Sequence, residues 1–152
     1  MNFDTVPAWR LIGITSNMLR RAMDKKFSDS PYSPTELACI SYIAETLREN
    51  PEIHVFQKDI EKEFNLRSST ASETLKNLEN KGLIRREGIE DDGRKKKLIP
   101  TETALKYNSK NEAKLQELEQ SFTKDIPPEQ LEIYRKVIIK IINNLRLEDI
   151  NG

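Results

Sequence analysis

Residues 57–101 hold two short helical patterns parted by a single Asn and then a hairpin pattern with a basic tip, which leaves the chain few folds. In 57–64, Ile60 and Phe64 lie four apart with charged residues filling most other positions, the mark of a helix with one apolar side. Asn65 ends it, since Asn tolerates the left-handed backbone of a sharp interhelical turn. Leu66 is then expected to tuck into the shared core, and Ser68 or Ser69 to cap the next helix. In 69–78, Ala71, Leu75 and Leu78 make an apolar stripe with Thr74 on its margin, so Ser69, Ser72, Glu73 and Lys76 point away from it.

Gly82, free to take positive φ, stops this second helix with Lys81 as a cation in its last turn. Residues 83–89 then have strand character and 97–99 return, with Asp92-Gly93, a strong hairpin dipeptide, expected in the turn. The tip carries Arg94, Lys95, Lys96 and Lys97. Helix, turn, helix and hairpin in this order predict a winged helix-turn-helix, in which an exposed helix face and a cationic loop lie side by side and fit a duplex. The paired acids Asp91 and Asp92 fall in the predicted turn, where solvation is their expected role.

The flanks read as helices, so the expected class is mainly α with a small β-hairpin. Residues 8–27 carry Leu11, Ile12, Ile14, Met18, Leu19, Ala22 and Met23 with no internal Pro, a long amphipathic helix bracketed by Pro31 and Pro34. Leu37, Ile40, Ala44 and Leu47 repeat the signal until Asn50-Pro51 breaks it, and 53–55 can add a short strand to the wing. Thr101 can cap a further long helix with Leu115, Leu118 and Phe122 on one side. Asn108 and Asn111 sit on that side one to two turns earlier, expected at a hydrated contact or an opening toward solvent.

The last helix starts at Pro127-Pro128 and carries Leu131, Tyr134, Val137, Ile138, Ile141, Ile142 and Leu145, widened by Ile133 and Ile139. So broad an apolar arc exceeds what one neighbouring helix covers, which implies a second chain. The expected organisation is therefore a dimerisation segment 1–33, a winged module 34–101 and a second dimerisation segment 102–152, with the first and last two helices interleaved in a homodimer. Trp9, Leu11, Ile12, Leu118, Phe122, Tyr134, Ile138, Ile141, Ile142 and Leu145 are the expected interface.

Composition narrows the function classes. A formal net charge of zero removes bulk attraction to nucleic acid, so any binding must come from local arrangement of charge. No apolar run approaches the length of a bilayer span, and residues 1–9 lack a basic-then-apolar signal pattern, so a soluble, cytoplasmic protein with no membrane partner is expected. One Cys excludes an intrachain disulfide. With no Gly-rich phosphate loop, no metal-ligand spacing and one His and one Cys for any nucleophile and base, neither an enzyme nor a metal or cofactor is expected. His54 reads as a surface residue and Cys39, one turn before Ile43, as a small buried hydrophobe; a redox role would need an exposed thiolate.

The run Ser69-Thr70-Ala71-Ser72 through Leu78-Glu79-Asn80-Lys81-Gly82-Leu83-Ile84-Arg85-Arg86, followed by Asp92-Gly93-Arg94 ahead of Thr101, resembles the recognition helix, strand entry and wing of the MarR family of bacterial transcription regulators. The chain departs from that family's usual pattern at Phe56, Glu73, Pro100 and Ala104, and a carboxylate at Glu73 would repel phosphates unless it meets a cytosine amino group or holds Lys76. The resemblance implies a regulator, commonly a repressor, that binds double-stranded DNA. It also implies a small, aromatic or anionic effector in a cleft that Trp9, Tyr32, Tyr42 and Tyr107 can line, although an apolar core explains these four equally well.

A twofold dimer would then read an imperfect palindrome with half-sites about one helical turn, roughly 10 base pairs, apart. Ser68, Ser69, Thr70, Ser72, Glu73 and Lys76 would face the major groove, with Arg94, Lys95 and Lys96 at the adjacent minor groove, Arg94 foremost. Taken alone, residues 95–97 suit a merely solvated hairpin face, and the serines and Thr70 suit helix solvation. The rival reading is a winged module that docks on protein as an adaptor or antirepressor, favoured by zero net charge and Glu73. An RNA-binding winged helix ranks last, for want of an exposed aromatic platform.

Overall fold

The computed structural model describes residues 3–89 and 92–151, and the side chains of 147–151 are left aside. Six helices and one hairpin follow in the order α1 (Ala8–Lys26), α2 (Pro34–Glu49), α3 (Gln57–Glu63), α4 (Ser68–Asn80), β1 (Ile84–Ile89), β2 (Asp92–Pro100), α5 (Glu102–Phe122) and α6 (Pro128–Asn151). The chain divides into two compact units, 1–115 and 116–152.

In the first unit α4 packs on α2, α3 and β1, and β2 reaches α2 and α3. Their apolar positions meet in one core of Cys39, Ile40, Ile43, Val55, Ile60, Ala71, Leu75, Leu78, Leu83, Ile84, Leu98 and Ala104. The stripe expected on α4 is thus the one that is buried, and Leu66 packs against the same cluster. Asn65 takes φ 48° to make the turn between α3 and α4.

Helix ends are set by local chemistry. Ser33 and Glu36 form a reciprocal capping box: Ser33 Oγ accepts from the Glu36 amide at 3.2 Å and Glu36 Oε2 accepts from the Ser33 amide at 2.8 Å, with Pro34 in the first turn. Asp59 Oδ2 accepts from the Phe56 amide at 2.8 Å, supplying half of such a box where Phe56 itself has nothing to offer. At the far end of α4, the Leu83 amide donates to Leu78 and the Gly82 amide to Glu79, a Schellman closure that needs the φ of 71° Gly82 adopts. Thr101 Oγ1 accepts from the Ala104 amide at 3.2 Å, the cap expected for α5.

Three sequence expectations change. Neither Ser68 nor Ser69 caps α4: the helix begins at Ser68, its N-cap is Arg67, and no side chain accepts a capping bond there. Asp92-Gly93 does not close the hairpin, because Ile89 already pairs with Asp92. The register jumps from Gly88 opposite Lys96 to Ile89 opposite Asp92, so residues 93–95 stand out as a bulge, and Asp92 Oδ1 accepts from the Arg94 amide at 3.0 Å to turn it. The dipeptide signals a turn, but of a bulge; Asp91, expected to be solvated in the closing turn, lies outside the described residues. Third, 53–55 adds no strand to the two-stranded sheet, although Val55 O accepts from the Leu98 amide at 2.8 Å, as one ladder rung would.

Asn108 and Asn111 are buried, at 8 % and 6 % exposure, Asn108 at the edge of an open recess. Asn108 Nδ2 reaches Glu112 Oε1 at 3.5 Å, and Asn111 Nδ2 has no hydrogen-bond partner. The segment after α1 is fastened to the first part of α5: Tyr107 Oη donates to Ser30 Oγ at 2.9 Å, the Tyr32 and Tyr107 rings meet edge to face at 4.8 Å, and Lys114 pairs with Asp29 at 3.0 Å while lying 5.7 Å from the Phe27 ring centroid. That lysine holds the Asp29 carboxyl below its ordinary range.

In the second unit, α6 follows a turn in which Asp125 takes φ 63°, and Pro128 begins the helix. Its apolar residues Ile133, Tyr134, Val137, Ile139, Ile142 and Leu145 are exposed. Among the described residues no helix is long and apolar enough to cross a membrane.

Candidate nucleic-acid interface

Burial of Ala71, Leu75 and Leu78 turns the opposite side of α4 outward, and Ser68, Ser69, Thr70, Ser72, Glu73 and Lys76 are all exposed there. The first turn of α4 has neither a side-chain cap nor an acidic residue. Its amides and the positive end of the helix dipole are therefore free for an anion, which a conventional Ser or Asp cap would have occupied. Sequence reasoning missed Arg67, which stands exposed at this N-cap; assigning the cap to a serine drew attention one residue too late.

The seam between α3 and α4 is polar and ordered. Gln57 Nε2 donates to Glu61 Oε1 at 3.0 Å and to the Ser68 carbonyl at 3.3 Å, so Ser68 is tied to α3. Hydrogen bonding by Gln57, and next by Ser68, lowers the Glu61 carboxyl below its usual range. Thr70 and Thr74 are linked within α4, Thr74 Oγ1 donating to the Thr70 carbonyl at 2.9 Å.

The wing is anchored at its root and open at its tip. Thr101 Oγ1 donates to the Gly82 carbonyl at 2.8 Å, its amide donates to Leu83 O at 2.9 Å, and Arg86 pairs with Glu79 of α4 at 3.4 Å. Arg94, Lys95 and Lys96 are exposed, and among the described residues none of the three has an ion-pair partner. Lys97 differs: it is partly buried and 3.9 Å from Glu87 across the hairpin. Glu73 makes no ion pair with Lys76 among the described residues, so its charge is not neutralised on the helix.

Residues 33–95 match the model of the MarR family. That match covers less than half of the chain. A solved structure of a transcription regulator MarR from Oenococcus oeni PSU-1 is 27 % identical over 90 % of this chain and 99 % of its own, with a TM-score of 0.73. The S. aureus MepR–DNA complex, at 22 % identity, shares the fold with a TM-score of 0.80 over 91 % of this chain and 98 % of that one. A putative MarR family regulator from Listeria monocytogenes, complexed with a 26mer DNA, is 19 % identical with a TM-score of 0.81, covering 91 % and 89 %. No curated protein matches the chain. The matched segment spans α2 through the bulge of the wing, and thus every exposed α4 and wing-tip residue described above except Lys96.

Of the aromatic residues expected around a cleft, Tyr32 and Tyr107 meet edge to face, Tyr42 meets Phe64 edge to face at 5.9 Å, and Trp9 is 73 % exposed. An open recess of about 540 Å³ lies among Ala44, Leu47, Arg48, Ile99, Pro100, Leu105, Asn108, Ser109 and Glu112, with Arg48 and Glu112 paired at 3.5 Å beside it. Cys39 is fully buried next to this core, and burial, then the neighbouring Glu36 charge, pushes its thiol up to about 11. It is a packed hydrophobe with no thiolate at neutral pH.

Proposed function

We propose that this protein is a transcription regulator that binds double-stranded DNA as a homodimer, reading an imperfect palindrome and acting as a repressor. The observation that carries the reading is the uncapped first turn of α4, with Arg67 at its N-cap, on the same module as a wing tip whose three cations have no ionic partner among the described residues. A phosphate supplies what those amides and cations lack. Ser69, Ser72 and Lys76 are then placed for base edges or phosphates, and Arg94 for the minor groove. The related MepR and Listeria proteins have been solved with DNA, which supports the same use of this fold here.

Homodimerisation is supported by α6, whose exposed Ile133, Tyr134, Val137 and Leu145 form more apolar surface than a solitary helix keeps in water. Release by a small molecule is supported by the recess beside Arg48, whose size suits a small ligand. The second reading, docking on protein, is favoured by the unneutralised Glu73 on the exposed face of α4.

Selection of genomic fragments with the purified protein tests the choice. Enrichment of a palindrome, with affinity falling steeply as salt rises, is the expected result. Failure to enrich any sequence, or binding indifferent to salt, would favour the protein-docking reading.

A further inference from the structure

We propose that Lys81 is a positioning residue for DNA recognition, clamping the C-terminal end of α4 to the start of α2 through Glu36 and so setting the pose in which α4 meets the groove. The inference rests on the DNA-binding reading above and adds a residue pair that touches no DNA.

The Schellman closure at Gly82 leaves Lys81 as the C-cap of α4. Its Nζ lies 2.8 Å from both oxygens of Glu36, reaches the Pro31 carbonyl at 3.4 Å, and sits 5.5 Å from the Tyr32 ring centroid. Glu36 is 4 % exposed and already holds the α2 capping box with Ser33. Tyr32 in turn meets Tyr107 of α5 edge to face, and Tyr107 is bonded to Ser30. One ammonium therefore ties α4 to the segment 31–36 and, through it, to α5.

The energetics favour a positional role over plain stabilisation. A buried carboxylate paired with a lysine gives up solvation that an apolar pair would not, so such a pair adds little net stability while fixing one arrangement. The two carboxylate oxygens and the Tyr32 ring hold the ammonium from different sides, so a rotation of α4 about its buried stripe works against these contacts. Its N-terminal end, by contrast, is held by exposed bonds between Gln57 and Ser68.

Glu36→Gln separates this role from simple electrostatics by the sign of its effect. Gln keeps the capping box, since a side-chain amide oxygen still accepts from the Ser33 amide. The substitution removes one negative charge, so long-range attraction to DNA rises and affinity would improve if position did not matter. A clamp predicts the opposite, a loss of about tenfold for a coupling of ordinary size, measured on the selected DNA site with the intact dimer. Lys81→Met should lose a similar factor while the slope of log affinity against log salt stays at the wild-type value, and Lys81→Arg, which can still fork onto Glu36, should recover wild-type affinity. Circular dichroism melting confirms that each variant is folded at the binding temperature.

Glu36→Gln binding as tightly as wild type or more tightly overturns the clamp while leaving DNA binding intact. So does a salt slope reduced by about one in Lys81→Met, the mark of a lysine that touches phosphate directly. If the wild-type chain itself enriches no DNA, the functional reading fails and the clamp falls with it.

Discussion

Ile43, Ile60, Leu75, Leu78 and Leu83 in the first unit are wholly buried, whereas Ile133 and Tyr134 on α6 are 61 % and 60 % exposed. Both regions carry apolar residues at helical spacing, yet only the winged module finds partners for them within one chain. The difference separates two fates for the same sequence signal: the module's stripes build a buried core, and those of α6 stay exposed, the surface the proposed dimer would cover. At the open first turn of α4 and at the wing tip, the module exposes polar and cationic groups.

The largest effect should come from hollowing the sealed side. Leu75→Ala, in the middle of the buried stripe of α4, is expected to lower the unfolding free energy by about 2–5 kcal/mol in urea titrations. A loss under about 1 kcal/mol would mean that the core tolerates a cavity and is less well packed than its burial indicates. On the open side, Tyr134→Glu combined with Ile142→Glu should convert the sedimenting species from two copies to one, with amide exchange in α2–α4 as slow as in wild type. Loss of that protection would show that the module depends on α6 after all.

Arg94→Ala comes next, with an expected cost of about 1–3 kcal/mol in DNA binding and none in melting temperature, because the bulge is turned by Asp92 and not by the arginine. An unchanged binding isotherm at moderate salt would remove the wing tip from the interface. The last effect is confined to alkaline pH. The Cys39 thiol is raised from 9.0 to about 11 in the fold, chiefly by burial, so above pH 9 the unfolded chain gives up its proton first. This group's contribution to stability is thus complete below about pH 9 and declines as pH climbs toward 11, and Cys39→Ala should flatten that part of a stability–pH curve.

Much of this contrast was legible in the sequence because it rests on short-range rules. The stripe on α4, the turn at Asn65, the stop at Gly82 and the Thr101 cap each follow from spacing or from one residue's backbone preference, whereas on α2 the burial runs through Leu37, Ile40 and Ile43 and leaves the expected Ala44 and Leu47 half-buried. The outward face of α4 follows from spacing too, since burying Ala71, Leu75 and Leu78 leaves Ser69, Ser72 and Lys76 no other direction.

What escaped depends on partners far along the chain. Lys81 looked like a cation placed for the dipole of its own helix, because nothing local reveals Glu36, 45 residues earlier, as its partner. The burial of Asn108 and Asn111 is equally invisible in the sequence, where their polarity suggests a hydrated contact or an opening toward solvent. The start of α4 was misplaced by one residue because three consecutive hydroxyl residues, 68–70, are all competent caps. Asp92-Gly93 marked a change of direction correctly while the strand pairing, which sequence does not fix, turned it into a bulge.

Sedimentation of the purified protein with a labelled duplex carrying its selected site joins both halves of the contrast in one measurement. Two copies per duplex at low salt, released steeply as salt rises, is the predicted result. A single chain that leaves the duplex unshifted even at the lowest ionic strength would contradict it.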